Sequence, residues 1–76
     1  MIDVIKISNI DGFLEKKLIK SSTQKTILKE YCIKDCQENY NHIPRRTRYG
    51  FFYYDEEYDI TVYYIIRYRI KGKTVL

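Results

Sequence analysis

The sequence predicts an α+β fold: a small antiparallel sheet, made of an N-terminal strand plus a long C-terminal hairpin, covered on one face by one long helix, with a second short helix. Three observations predict it: the β-branched run "IDVIKI" at residues 2–7, a helix-period stripe in "SSTQKTILKEYCIKDCQENYN", and period-two alternation in "YGFFYYDEEYDITVYYIIRYRI". With 76 residues, the chain is one domain, 1–76, and a domain this small buries only about 60% of the surface its unfolded chain exposes.

Residues 2–7 read as a strand because no helical period fits them. In "SNIDGFLEKKLIK", Ile10, Phe13, Leu14 and Leu18 fit a helical face, while Gly12 after Asp11 serves equally as a hairpin turn; a short helix is the preferred reading. The long helix starts at a capping box, Ser21 three residues before Gln24, and carries Ile27, Leu28, Tyr31, Cys32 and Cys36 on one stripe. Lys25, Lys29, Lys34 and Glu38 lie off that stripe or at its edge. Pro44 ends the helix by His42 or Ile43, because it lacks an amide donor and pushes the preceding residue out of helical angles.

Residues 49–54 and 59–70 form the hairpin around "DEEY". A four-residue loop sets Tyr54 opposite Asp59, Phe52 opposite Thr61, Gly50 opposite Tyr63, Arg48 opposite Ile65 and Arg46 opposite Arg67. A three-residue loop opposes Asp55 to Asp59, a like-charge pair, and is disfavoured. "KGK" at 71–73 returns the chain for a last short strand at 74–76.

In this register Tyr49, Phe51, Tyr53, Ile60, Val62, Tyr64, Ile66, Tyr68 and Ile70 share one face, which is the core, at about 1.5–3 kcal/mol for each fully buried side chain. The other face mixes Phe52, Tyr54 and Tyr63 with arginines. Either neighbouring elements cover it, or these aromatics are exposed and bind a partner, since aromatic and arginine side chains make protein hot spots and single-strand stacking platforms.

The charges divide along the hairpin. Arg45, Arg46 and Arg48 gather near Arg67 and Arg69 at one end; Asp55, Glu56, Glu57 and Asp59 sit at the other, about 20 Å away at 3.4 Å per residue. Screening over about 8 Å keeps the clusters from neutralising each other. The opposed Arg46 and Arg67 call for an anion: the chain's own Asp3, Glu15 or Glu30, or an external phosphate or carboxylate.

Little else carries chemistry. Cys32, Cys36 and His42 supply three possible zinc ligands, but a structural site wants four, so the cysteines read as small apolar core residues and His42 as a helix C-terminal residue. The run "DEEYD" lacks the glycine and ligand spacing of a calcium loop, and no Gly-rich phosphate loop, nucleophile elbow or HExxH stretch is present. No enzymatic activity, metal or cofactor is expected.

There is no alanine, and Ile, Lys, Tyr, Asn and Phe make up nearly half the chain, residues whose codons are AT-rich. Together with the small size this points to a phage, virus or mobile element. Only two cysteines, both read as free thiols, and no apolar run approaching about 18 residues lead to the expectation of a cytoplasmic protein with no membrane contact. The leading functional expectation is a small non-enzymatic protein that binds and modulates or inhibits a host protein, in its narrowest form an anti-CRISPR-like inhibitor of a nucleic-acid-handling defence enzyme. The alternative is a nucleic-acid-binding module using the same residues, Arg45, Arg46, Arg48, Phe52, Tyr54, Tyr63, Arg67 and Arg69. A net charge of +4 and a pI of about 9.1 fit either. A homodimer is a further possibility, because small sheets often pair across an open edge or face.

Overall fold

The computed structural model describes residues 1–69. The N-terminal strand continues past residue 7: β1 (Ile2–Ile10) turns back into β2 (Phe13–Ser22) through Asp11 and Gly12, whose φ angles of 52° and 85° are both left-handed. This is the two-residue hairpin turn whose twist matches that of the strands it joins. The short helix expected over residues 10–20 is therefore replaced by a strand. Pairing from Ile10 opposite Phe13 to Ile2 opposite Ser22 satisfies the backbone polar groups of β1 on that side. The register slips between Val4 and Ile5, where Val4 faces Lys20 and Ile5 faces Leu18. The extra residue, Ile19, packs against the core.

Helix α1 spans Lys25–Tyr40 with Gln24 as its N-cap residue. The expected capping box does not form, because Ser21 is drawn into β2, where its hydroxyl donates to Asp3 at 2.5 Å. Ser22 instead accepts the Gln24 N–H at 3.0 Å. The helix stops before His42, as Pro44 requires. Asn41 takes the left-handed conformation at φ 58°, and its N–H reaches the Gln37 carbonyl at 2.9 Å. Leu28, Cys32 and Cys36, spaced by four, are fully buried against the sheet. Ile27, at the edge of the expected stripe, is exposed.

Three more strands, β3 (Arg45–Arg46), β4 (Gly50–Asp55) and β5 (Ile60–Tyr68), complete a five-stranded sheet in the order β2-β1-β5-β4-β3. Every neighbouring pair is antiparallel. The β4–β5 loop does have four residues, but it is Glu56–Asp59, so Phe52 pairs with Tyr63, Gly50 with Ile65 and Asp55 with Ile60. The cause is Asp55: its Oδ1 accepts the N–H groups of Glu57 at 3.0 Å and Tyr58 at 3.3 Å, which anchors the turn one residue later. Moving the pairing by two positions preserves side-chain parity, so each residue stays on its expected face.

The helix-side core consists of Ile2, Val4, Phe51, Tyr53, Val62, Tyr64 and Ile66 beneath Leu28, Cys32 and Cys36. Tyr49 and Tyr68, expected in this core, are exposed. Tyr49 falls in the bend before β4, and Tyr68 lies beyond Ile66, beside which α1 begins. Ile70 and the strand expected at 74–76 lie outside the described residues. Among the described residues, no helix is long and apolar enough to cross a membrane.

Candidate functional site

Among the described residues, no helix lies on the face of the sheet turned away from α1. By strand parity this face presents Leu14, Lys16 and Leu18 from β2, Ile5 and Ile7 from β1, Tyr63, Ile65 and Arg67 from β5, Phe52 and Tyr54 from β4, and Arg45 from β3. Ile5, only 1% exposed, is buried here by its neighbours within the face. Around it the face opens: Leu14 is 67%, Tyr54 55% and Tyr63 46% exposed. Phe52 is half-buried and leans on Tyr63 with ring centroids 5.0 Å apart. Between residues 47–49 and β5, an apolar recess of about 310 Å³ opens with Arg48, Tyr49, Tyr63 and Ile65 among its walls.

The arginines do not converge as expected. A bend at residues 47–49, closed by the Thr47 N–H donating to the Gly50 carbonyl at 2.9 Å, folds β3 back along β4. Arg45 then pairs with Phe52 and Arg46 with Phe51, so Arg46 is not opposite Arg67. Arg67 instead faces Asp3 across the β1–β5 ladder. Arg69 is consumed structurally: its Nη2 and Nε donate to the Asp3 carboxylate at 2.7 and 3.1 Å. That carboxylate holds the guanidinium pKa above its ordinary value, more than desolvation lowers it. Asp3, expected as an internal anion for the opposed Arg46 and Arg67, is thus the partner of Arg69. Glu15 pairs with Lys17 instead. Arg45 and Arg67 flank the apolar face, Arg46 borders a cleft on the helix side together with Lys25 and Lys29, and Arg48 lines both that cleft and the apolar recess.

The cysteines and His42 part company. Cys32 and Cys36 point into the core, and burial, reinforced by the charge of Asp35, pushes the Cys32 thiol up to about 12. Neither the depth nor the pKa suits a reactive thiol. His42 lies past the helix end, stacked on Tyr53 with centroids 5.4 Å apart. Its Nδ1–H donates to the Tyr40 carbonyl at 2.8 Å. Among the described residues, no group of three or more His, Cys, Asp or Glu side chains is placed to hold a metal ion.

One polar cluster was not anticipated. Lys6 of β1 donates to Asp35 of α1 at 2.8 Å, and the Tyr64 hydroxyl donates to the same carboxylate oxygen at 2.6 Å. The Lys6 and Asp35 side chains are only 9% and 16% exposed. Burial pulls the Lys6 pKa down, but Asp35 and Tyr40 together outweigh it and leave it raised. Burial first, then Asp35, raises the Tyr64 hydroxyl far above its ordinary value. With every member bonded, this cluster ties the sheet to the helix. The sole hint in the sequence was a lysine within the otherwise apolar run "VIKI" at residues 4–7.

Comparison with protein-family models, curated proteins and solved structures finds no match to this chain.

Proposed function

We propose that this chain is a non-enzymatic binding module that engages one protein partner through the outer face of its sheet. The observation that carries the reading is the apolar face that no described element covers, with its recess beside Tyr63 and Ile65. Aliphatic side chains form much of it: Leu14, Leu18, Ile7 and Ile65. Such residues pack against protein and offer no π-face for stacked bases. The tyrosines and Phe52 supply rigid aromatic contacts of the kind that dominate binding energy, and the recess suits a single apolar anchor from the partner. Lys16, Arg45 and Arg67 are the flanking charges, so the complementary surface is an apolar patch with an acidic rim. A protein of this size acts on its partner by occupying a surface. Small size and AT-rich codon usage support the narrower form, inhibition of a host protein, with a nucleic-acid-handling defence enzyme as its extreme case.

The test is affinity capture from the host with wild type, Tyr63→Asp and Leu14→Asp, and with Lys17→Gln on the opposite face as control. One partner held stoichiometrically by wild type and the control, and released by both outer-face variants, is the expected result. Binding that survives both variants overturns the reading. So does specific binding of an oligonucleotide at about 0.15 M salt that Arg45→Glu and Arg67→Glu abolish. A sedimenting dimer dissolved by Tyr63→Asp would make a second copy the occupant.

A further inference from the structure

On the helix side of the sheet, a cleft of about 220 Å³ lies between the start of α1 and the bend that joins β3 to β4. Lys25 and Lys29 line it from the helix, Arg46 and Arg48 from the bend, and Phe51 and Ile66 belong to its floor. No carboxylate of the described residues lines it. Among the described residues, none of the four cations makes an ion pair. Asp3, Asp35 and Glu38 are paired elsewhere, with Arg69, Lys6 and Lys34, and Glu30, next to Lys29 in the chain, neither lines the cleft nor pairs with its cations. The acidic turn after Asp55 is about 17 Å from Gly50 along β4 at 3.4 Å per residue, beyond the screening length of about 8 Å. The first turn of α1 contains no acidic residue, so its exposed N–H groups add to the positive potential.

We infer that this cleft binds the phosphoryl group of a small molecule, as a phosphate monoester or diphosphate. The argument rests on four like charges held round one recess with no counterion among the described residues, an arrangement whose repulsion a compact polyanion relieves. Two guanidinium groups offer planar forks for paired oxygens, and two ammonium groups act as point charges. The volume is below the range of about 300–1,000 Å³ for pockets that enclose a whole organic ligand, so the anionic group is held and the rest of the molecule projects outwards. Convergence on one recess favours concentrated charge over the evenly spaced single charges of a nucleic-acid backbone. The cleft shares Thr47, Arg48, Tyr49 and Phe51 with the apolar recess of the proposed protein-binding face, whereas Lys29 and Arg46 line the cleft alone, so variants at those two positions separate the two readings.

Amide chemical shifts followed during titration with inorganic phosphate and with pyrophosphate test the inference. Saturable shifts clustered at residues 25–29 and 46–51 are expected, with pyrophosphate the tighter ligand and its Kd below about 1 mM. Arg46→Gln and Lys29→Gln, each checked for an unchanged fold by circular dichroism, should weaken pyrophosphate about tenfold, and Lys16→Gln on the outer face should not. The inference is overturned if neither anion gives a saturable, localised shift, or if both cleft variants bind like wild type. Tighter binding at the same residues by an oligonucleotide without terminal phosphate also overturns it, since the ligand would then be the phosphodiester backbone.

Discussion

Removing the carboxylate of Asp35 should come close to unfolding this protein. Asp35 accepts short hydrogen bonds from the Lys6 ammonium and the Tyr64 hydroxyl, at 2.8 and 2.6 Å. Asp35→Ala strands a charge that is only 9% exposed, and breaking a buried pair from one side costs about 3–5 kcal/mol. The orphaned tyrosine hydroxyl is an overlapping cost of about 1–3 kcal/mol, so about 4 kcal/mol is the expected total. Stability of 0.05–0.15 kcal/mol per residue gives the 76-residue chain only about 4–11 kcal/mol in all. Asp35→Asn keeps an acceptor for Tyr64 and should lose about half as much. Replacing the whole cluster with Lys6→Met, Asp35→Leu and Tyr64→Phe removes every polar group at once and should leave stability within about 1–2 kcal/mol of wild type. Urea unfolding followed by circular dichroism measures all three. If Asp35→Ala loses less than about 1 kcal/mol, or the triple variant is weaker than the single, the cluster is not the buried pair described.

Two further outcomes follow from the same structure. A Cβ at Gly50 would overlap the Tyr64 carbonyl oxygen, so Gly50→Ala should cost about 3 kcal/mol, whereas Gly12→Ala, with open space around it but a left-handed φ of 85°, should cost only about 1 kcal/mol; thermal unfolding ranks the two. Stability should also fall in alkali. Cys32, Lys6 and Tyr64 all have folded pKa values raised above their ordinary ones, so their contributions are complete below the unfolded values and lost as pH rises through the folded ones. For Cys32 that window runs from 9.0 to about 12, with a slope of about 1.4 kcal/mol per pH unit for each proton the folded state retains. A urea midpoint that stays flat across that window would refute the assignment.

What the sequence disclosed follows the range of the interactions involved. The helix stripe and the two faces of the C-terminal hairpin rest on local periodicity, and both were legible. Residues 10–20 were not, because Ile10, Phe13, Leu14 and Leu18 satisfy a helical spacing as well as a strand. Only pairing with β1 separates the two. The β4–β5 loop had its expected length, yet its position turned on which carboxylate captured the turn amides. The arginine cluster failed because β3 has two residues, too few to show a pattern, and its fold-back along β4 separates Arg46 from Arg67. Lys25 and Lys29 stood in the sequence as ordinary solvent-facing lysines; only the tertiary placement of the helix start beside the β3–β4 bend gives them company. The buried role of Lys6 depends on a residue 29 positions away.

The strand order has a consequence for how fast the protein reaches this state. The β1–β2 and β4–β5 hairpins are local and can form within microseconds, but they meet only along the ladder that pairs Ile2 with Tyr68 and Ile10 with Ile60. Closing that seam joins opposite ends of the described chain before most of the core is buried, so its entropy is spent ahead of its reward. The seam, with Lys6 against Tyr64 at its centre, is therefore the natural location of the folding barrier. Until it closes, each hairpin carries an unpaired edge.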